Sequence, residues 1–277
     1  MNLQTNLAGR LRNTPLPLSN ALMPLFEAVV NSIHAIEEAG QSTSDGKIDV
    51  AILRKQGQEE MQFEEFKKRG GPDALQDIIG FIVTDTGIGF TDENFESFKT
   101  LDSEHKISKG GRGIGRLLWL KAFKRVHIDS VYEDHDAKLM RRTFTFDASG
   151  VYNENLCPAD AGAARKTVVR LDDFNARYRQ YALKTPEPIA NSILEHCLWY
   201  YIRKGSAPTV SVLDDGQVFS LSDIFDHHMH SSAVPETLTL KGCQFDVVHV
   251  KLRSNSLATH ALALCADIKR TATLSLR

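Results

Sequence analysis

Four cysteines in 277 residues (Cys157, Cys197, Cys243 and Cys265) are widely spaced and form no CxxC pair. They leave no frame for disulfides and no zinc-binding spacing, and read as reduced, mostly buried thiols of a cytosolic protein. No apolar run reaches the roughly 18 residues that a membrane-spanning helix needs. The N-terminal MNLQTNLAGRLRN has no hydrophobic segment of signal-peptide length. A membrane partner is therefore not expected, and the cytoplasm is the expected location. An excess of one charge is also lacking: 33 Lys and Arg against 35 Asp and Glu give a net charge of −2. No global basic field draws the chain to nucleic acid, and the local run Lys121, Lys124, Arg125 reads as a solvated helix end. There is no internal repeat, no low-complexity tract and no GxxxxGK[ST] phosphate loop.

What is present is ordinary globular composition, 42% hydrophobic and 25% charged, in a length that suits one large domain or two ordinary ones. Apolar Leu25, Val29, Val30, Ile33 and Ile36 recur at helical spacing, with Ser19 and Asn20 as caps, Pro24 in the first turn and Gly40 at the end. Lys47–Lys55 alternates like a half-buried strand, and Gln56–Asp77 is a charged excursion. Ile78–Thr84 is a nearly continuous apolar strand. Short helices are expected over Asn94–Leu101 and Gly113–Phe123, with strands near 125–132, 141–146 and 166–171. Because strands and helices do not alternate regularly, the expected class is α+β.

The pattern restarts after a boundary placed near Leu183–Pro188. A helix over Ile189–Arg203 precedes strands at Thr209–Leu213, Thr237–Lys241, Phe245–Leu252 and His260–Ala266, and Asp214-Asp215-Gly216 is a hairpin turn signal. The second unit, residues 184–277, ends in KRTATLSLR with little room to complete a sheet. It is expected to be incomplete, within something longer.

Three segments carry chemistry. In EAVVNSIHA, Glu27 and Asn31 stand four residues apart on one helical face. A neutral amide oxygen can hold Mg2+, and a carboxylate can orient a water as general base. For this segment taken alone, an amphipathic helix with a polar stripe is the simpler account. In DTGIGF, Asp85 ends an apolar strand, where a carboxylate is costly unless it meets donors such as the amino group of adenine. Gly87 and Gly89 would let backbone approach a flat base, although D-x-G turns are common. In GGRGIGR, Gly111, Arg112, Gly113, Ile114 and Gly115 lead into a helix whose N–H groups could hold phosphates. Arg112 and Arg116 either touch phosphate or face solvent, and an unliganded glycine loop is the plain alternative.

Taken in order, the E-x-x-x-N helix, the strand-end D-x-G-x-G and the later G-x-G-x-G resemble the GHKL superfamily, which includes gyrase B, the ninety-kilodalton heat-shock chaperone, histidine kinases and MutL. The resemblance covers Leu18–Leu171 and includes Thr167 in KTVVRL. It implies a Bergerat-type two-layer α/β sandwich with a mixed sheet over residues 1–183, followed by a smaller, transducer-like α+β domain. It also implies ATP and Mg2+ as cofactors: Glu27 activating water, Asn31 on Mg2+, Asp85 on adenine with Thr167 beside it, Gly111–Gly115 around phosphates, and Asp102–Lys109 as a lid. His34 stands where many members carry Asp and is expected to be a structural or water-bridging histidine. Lys251 and Lys269 are available for a γ-phosphate contact, and nothing selects either. His227, His228 and His230 (HHMH) lack Cys or acidic ligands at metal spacing and read as a surface loop. Trp119, Trp199, Tyr200 and Tyr201 read as core or interface aromatics.

The expected function is a slowly hydrolysing ATPase that dimerises when ATP binds. It would be the N-terminal part of a machine for DNA processing or antiviral defence, with DNA or a protein as client. The alternative is a scaffold that binds ATP without turnover.

Overall fold

The computed structural model describes residues 6–40, 42–55, 76–100, 115–202, 207–228, 234–240, 243–251 and 260–266. After a short helix α1 (Leu7–Asn13), the expected amphipathic helix forms as α2 (Met23–Glu38), with Pro24 in its first turn. Ser19 and Asn20 do not cap it. They lie in a 3-10 turn (Leu18–Asn20), and Leu22 takes the N-cap position without a side-chain hydrogen bond. Ala21 and Leu22 are buried there, so packing of the apolar entry outweighs a polar cap.

β1 (Lys47–Arg54) pairs antiparallel with β2 (Ile78–Asp85), with Val50 opposite Val83 and Ile48 opposite Asp85. α3 (Asp92–Lys99) begins two residues before the expected start, because Thr91 accepts from the Asn94 N–H and caps it. α4 (Gly115–Ala122) passes into β3 (Phe123–Glu133) with no intervening loop, and the Asn175 N–H donates to Ala122 O at that junction. β4 (Leu139–Asp147), β5 (Gly150–Pro158), β6 (Lys166–Phe174) and the single turn α5 (Ala176–Arg179) follow. β5, absent from the sequence expectation, carries a bulge. Thr143 pairs with Asn155 and Thr145 with Tyr152, and Asn153 takes φ +54°.

α6 (Pro186–Ile202), β7 (Thr209–Asp214), β8 (Gln217–Ser220) and α7 (Leu221–His228) come next. The main sheet takes in residues on the far side of Leu183–Pro188. β7 adds to β1 in parallel, with Ile48 opposite Val210, and the Asp215-Gly216 turn returns the chain into β8. Strand order is β5-β4-β3-β6-β2-β1-β7-β8, and β1–β7 is the one parallel pair among these described strands. The chain is therefore α+β, with a mixed eight-stranded sheet. β9 (Val234–Leu240), β10 (Cys243–Lys251) and β11 (His260–Ala266) form a separate antiparallel sheet.

Alternation decides which face of the main sheet is covered. Along β3, buried Val126, Ile128, Ser130 and Tyr132 alternate with half-buried His127, Asp129 and Val131. α4 packs on β3, α2 on β1 and β2, and α6 and α7 on β7. Their apolar stripes share one core with the sheet, including Leu25, Val29 and Ile33 from α2 and Ile189, Ile193 and Leu194 from α6. No helix among the described residues is long and apolar enough to cross a membrane.

Candidate functional site

Three buried polar residues form one row across the middle of the sheet. Asp85 at the end of β2 stands opposite Thr167 on β6, and Thr167 stands opposite Ser130 on β3. Asp85 is only 3% exposed, so its carboxylate needs donors. The Ser32 hydroxyl donates to Oδ2 at 2.8 Å and the Gly87 N–H to Oδ1 at 2.8 Å. Ser130 Oγ and Thr167 Oγ1 are 2.9 Å apart, and the Phe90 N–H donates to Ser130 Oγ at 3.0 Å.

The DTGIGF turn lies against the second half of α2, where the Ile88 N–H donates to Ala35 O. A Cβ on Gly87 would come within 2.6 Å of Ala35 Cβ. Gly89 has φ +81°, and a Cβ there would come within 2.8 Å of Ser130 Oγ and 2.9 Å of Tyr132 Cβ. Only glycine meets both conditions at that position.

Two turns earlier on α2, Glu27 lies against the first residue of α4. A Cβ on Gly115 would overlap Glu27 Oε2, so glycine is what lets the helix start approach the carboxylate. Burial raises the Glu27 pKa above its ordinary value. Asn31 follows one turn later on the same side of the helix, half-buried. From Glu27 to Ala35 the helix rises about 12 Å. One end of α2 thus holds a carboxylate beside a helix start, and the other holds a row of hydrogen-bonding groups.

Gly111, Arg112, Gly113 and Ile114, and the expected lid Asp102–Lys109, lie outside the described residues. Arg116 is half-buried against α3. Its guanidinium donates to Ser97 O (3.1 Å) and Thr100 O, over the ring of Phe98. It thereby satisfies carbonyls at the end of α3, and burial lowers its pKa to about 10.

His34 has a structural hydrogen bond: Nε2 is 2.9 Å from Tyr200 Oη, which joins α2 to α6. Burial holds the Tyr200 phenol above its usual pKa range, so it stays neutral. Tyr200→Phe is expected to cost about 1 kcal/mol, read as a lower midpoint in urea unfolding. Trp119 is buried in the core, as expected. His227 Nδ1 donates to Asp223 O on α7, so this part of HHMH is helical rather than loop. The His228 side chain, His230, the Lys251 side chain and Lys269 lie outside the described residues. Among the described residues no three His, Cys, Asp or Glu side chains are grouped to hold a metal. Cys197 is buried and free, its thiol pushed up to about 12.

Three site residues escaped the sequence reading. Ser32 and Ser130 complete the polar row. Arg142, 3% exposed, braces the turn beside it by donating to Phe90 O at 2.6 Å and pairing with Asp92, over the rings of Phe95 and Tyr132. The available signal was an inward-facing polar residue on an otherwise apolar strand face: Ser130 in line with Val126 and Ile128, and Arg142 in line with Phe144 and Phe146.

Comparison with protein-family models and with curated proteins returns no match to the chain.

Proposed function

We propose that this chain binds ATP and hydrolyses it slowly, as a GHKL-superfamily ATPase with a Bergerat-type ATP-binding domain built on the eight-stranded sheet, β7 and β8 included, and a transducer-like unit after it. The observation that carries the reading is the layout of α2. Its Glu27 end touches the start of α4, and its Ser32–Ala35 end touches Asp85 and the DTGIGF turn. That separation, about 12 Å, is of the order of the span from a purine base to the terminal phosphate of a nucleoside triphosphate.

In this reading Asp85 accepts the amino group of adenine. Thr167 lies beside it, and Gly87 and Gly89 admit the base. Gly111, Arg112, Gly113, Ile114 and Gly115 receive the phosphates at the start of α4. Mg2+ favours oxygen ligands and retains several waters; Asn31 would supply one hard, neutral oxygen from the protein. Glu27 orients and deprotonates the attacking water. Nucleotide-gated homodimerisation, a DNA or protein client and a cytoplasmic setting complete the proposal by analogy at the level of the superfamily.

Asp85→Asn tests it. The amide keeps the size of the carboxylate, and Ser32 can turn its hydroxyl to accept from it. ATP affinity of the full chain, measured by isothermal titration calorimetry, is expected to fall roughly 10–100-fold, with the circular dichroism spectrum unchanged. Unchanged affinity in the variant, or no ATP binding by the parent chain, overturns the reading.

A further inference from the structure

The polar row contains a hydroxyl pair whose proton direction is set by its neighbours. Ser130 is fully buried, so its hydroxyl proton must find an acceptor in the protein. One of its lone pairs takes the Phe90 N–H, and its other hydrogen-bond neighbour is Thr167 Oγ1 at 2.9 Å. Either hydroxyl could donate across this contact, and donation from Ser130 is the direction that gives its buried proton an acceptor. A hydroxyl that receives a proton on that side turns its own away from Ser130, and Asp85 is the residue on the other side of Thr167 in the row.

We propose that Ser130 is a positioning residue that orients the Thr167 hydroxyl, so that the row presents an acceptor (Asp85) beside a donor (Thr167) and selects adenine over guanine. This rests on the ATP-site reading above. The edge of adenine offers an amino donor next to a ring-nitrogen acceptor and matches that order. Guanine offers a carbonyl acceptor next to a ring N–H donor, which sets acceptor against carboxylate and donor against hydroxyl proton. Ser130 touches no ligand in this arrangement; it acts through Thr167. The backbone keeps it in place, because Phe90 follows Gly89, whose conformation and close approach to Ser130 fix the turn. Arg142 then holds Phe90 O from the far side.

The test is the ratio of GTP to ATP dissociation constants, measured by calorimetry on one sample of full-length chain, so that any unfolded fraction cancels. Ser130→Ala removes the directing proton and is expected to lower this ratio about tenfold. In a Thr167→Val background there is no hydroxyl to direct, and Ser130→Ala is expected to leave the ratio unchanged, which a general loosening of the fold would not do. If Ser130→Ala does not fold, Ser130→Cys keeps the size with a poor donor and carries the same comparison. A parent chain that binds ATP, with a ratio that Ser130→Ala does not change, overturns the inference and leaves the ATP site standing. A parent chain that binds neither nucleotide overturns both.

Discussion

Glu27→Gln is expected to leave ATP affinity within about threefold of the parent chain and to lower phosphate release about 10²–10⁴-fold, the range for loss of a positioned general base. The amide fills the same space against Gly115 but cannot take a proton from water. Single-turnover release of phosphate separates this outcome from the alternative of a sensing scaffold: a parent chain that binds ATP and releases no phosphate has no hydrolysis for Glu27 to support. Burial gives the experiment a pH signature. Because the folded-state pKa is raised, the acid limb of the rate profile is expected above the usual carboxylate range. The linkage has the opposite sign for stability. A carboxyl that binds its proton more tightly when folded stabilises the fold below its ordinary pKa, and loses that contribution as pH rises through the raised value. The glutamine variant is therefore expected to be at least as stable as the parent at neutral pH, with the gap closing on acidification.

Arg54→Met is expected to destabilise the fold by about 3–5 kcal/mol, the cost of stranding one partner of a buried ion pair. Arg54 Nε and Nη2 fork onto the two oxygens of Asp214 at 2.8 and 2.5 Å, with the side chains 14% and 5% exposed. The same guanidinium donates to Gln76 O at 2.6 Å and Lys184 O at 2.9 Å. It joins the end of β1, the end of β7 and the entries to β2 and α6. Met keeps the apolar stem, so the loss isolates the charge and its hydrogen bonds. Asp214→Leu added to Arg54→Met is expected to recover much of the loss, because no buried charge then lacks a partner. Urea unfolding of the two variants and the parent measures both effects.

Local pattern carried much of the architecture. Helical spacing set α2, alternation set β1 and β3, and the Asp215-Gly216 turn joined β7 to β8. It also put Glu27 and Asn31 on one helical face and Asp85 at a strand end. Pairing between distant strands was not legible. Nothing in Thr209–Asp214 says that its neighbour is β1, and the Ser130–Thr167 contact depends on a register between strands 37 residues apart. Packing overrode a local rule elsewhere: buried Ala21 and Leu22 displaced the Ser19–Asn20 cap. α7 is two turns long, too short for periodicity to separate it from a loop.

Among the described residues, the eight-stranded sheet has β5 and β8 as its outermost strands. Here one end, β5, is bent by its bulge and carries Glu154 within it, and the other, β8, is four residues long. Neither offers a passing chain a long, straight row of unpaired N–H and C=O groups. The protein therefore carries its own guard against strand-by-strand polymerisation, built from one misfitting residue at one margin and from brevity at the other.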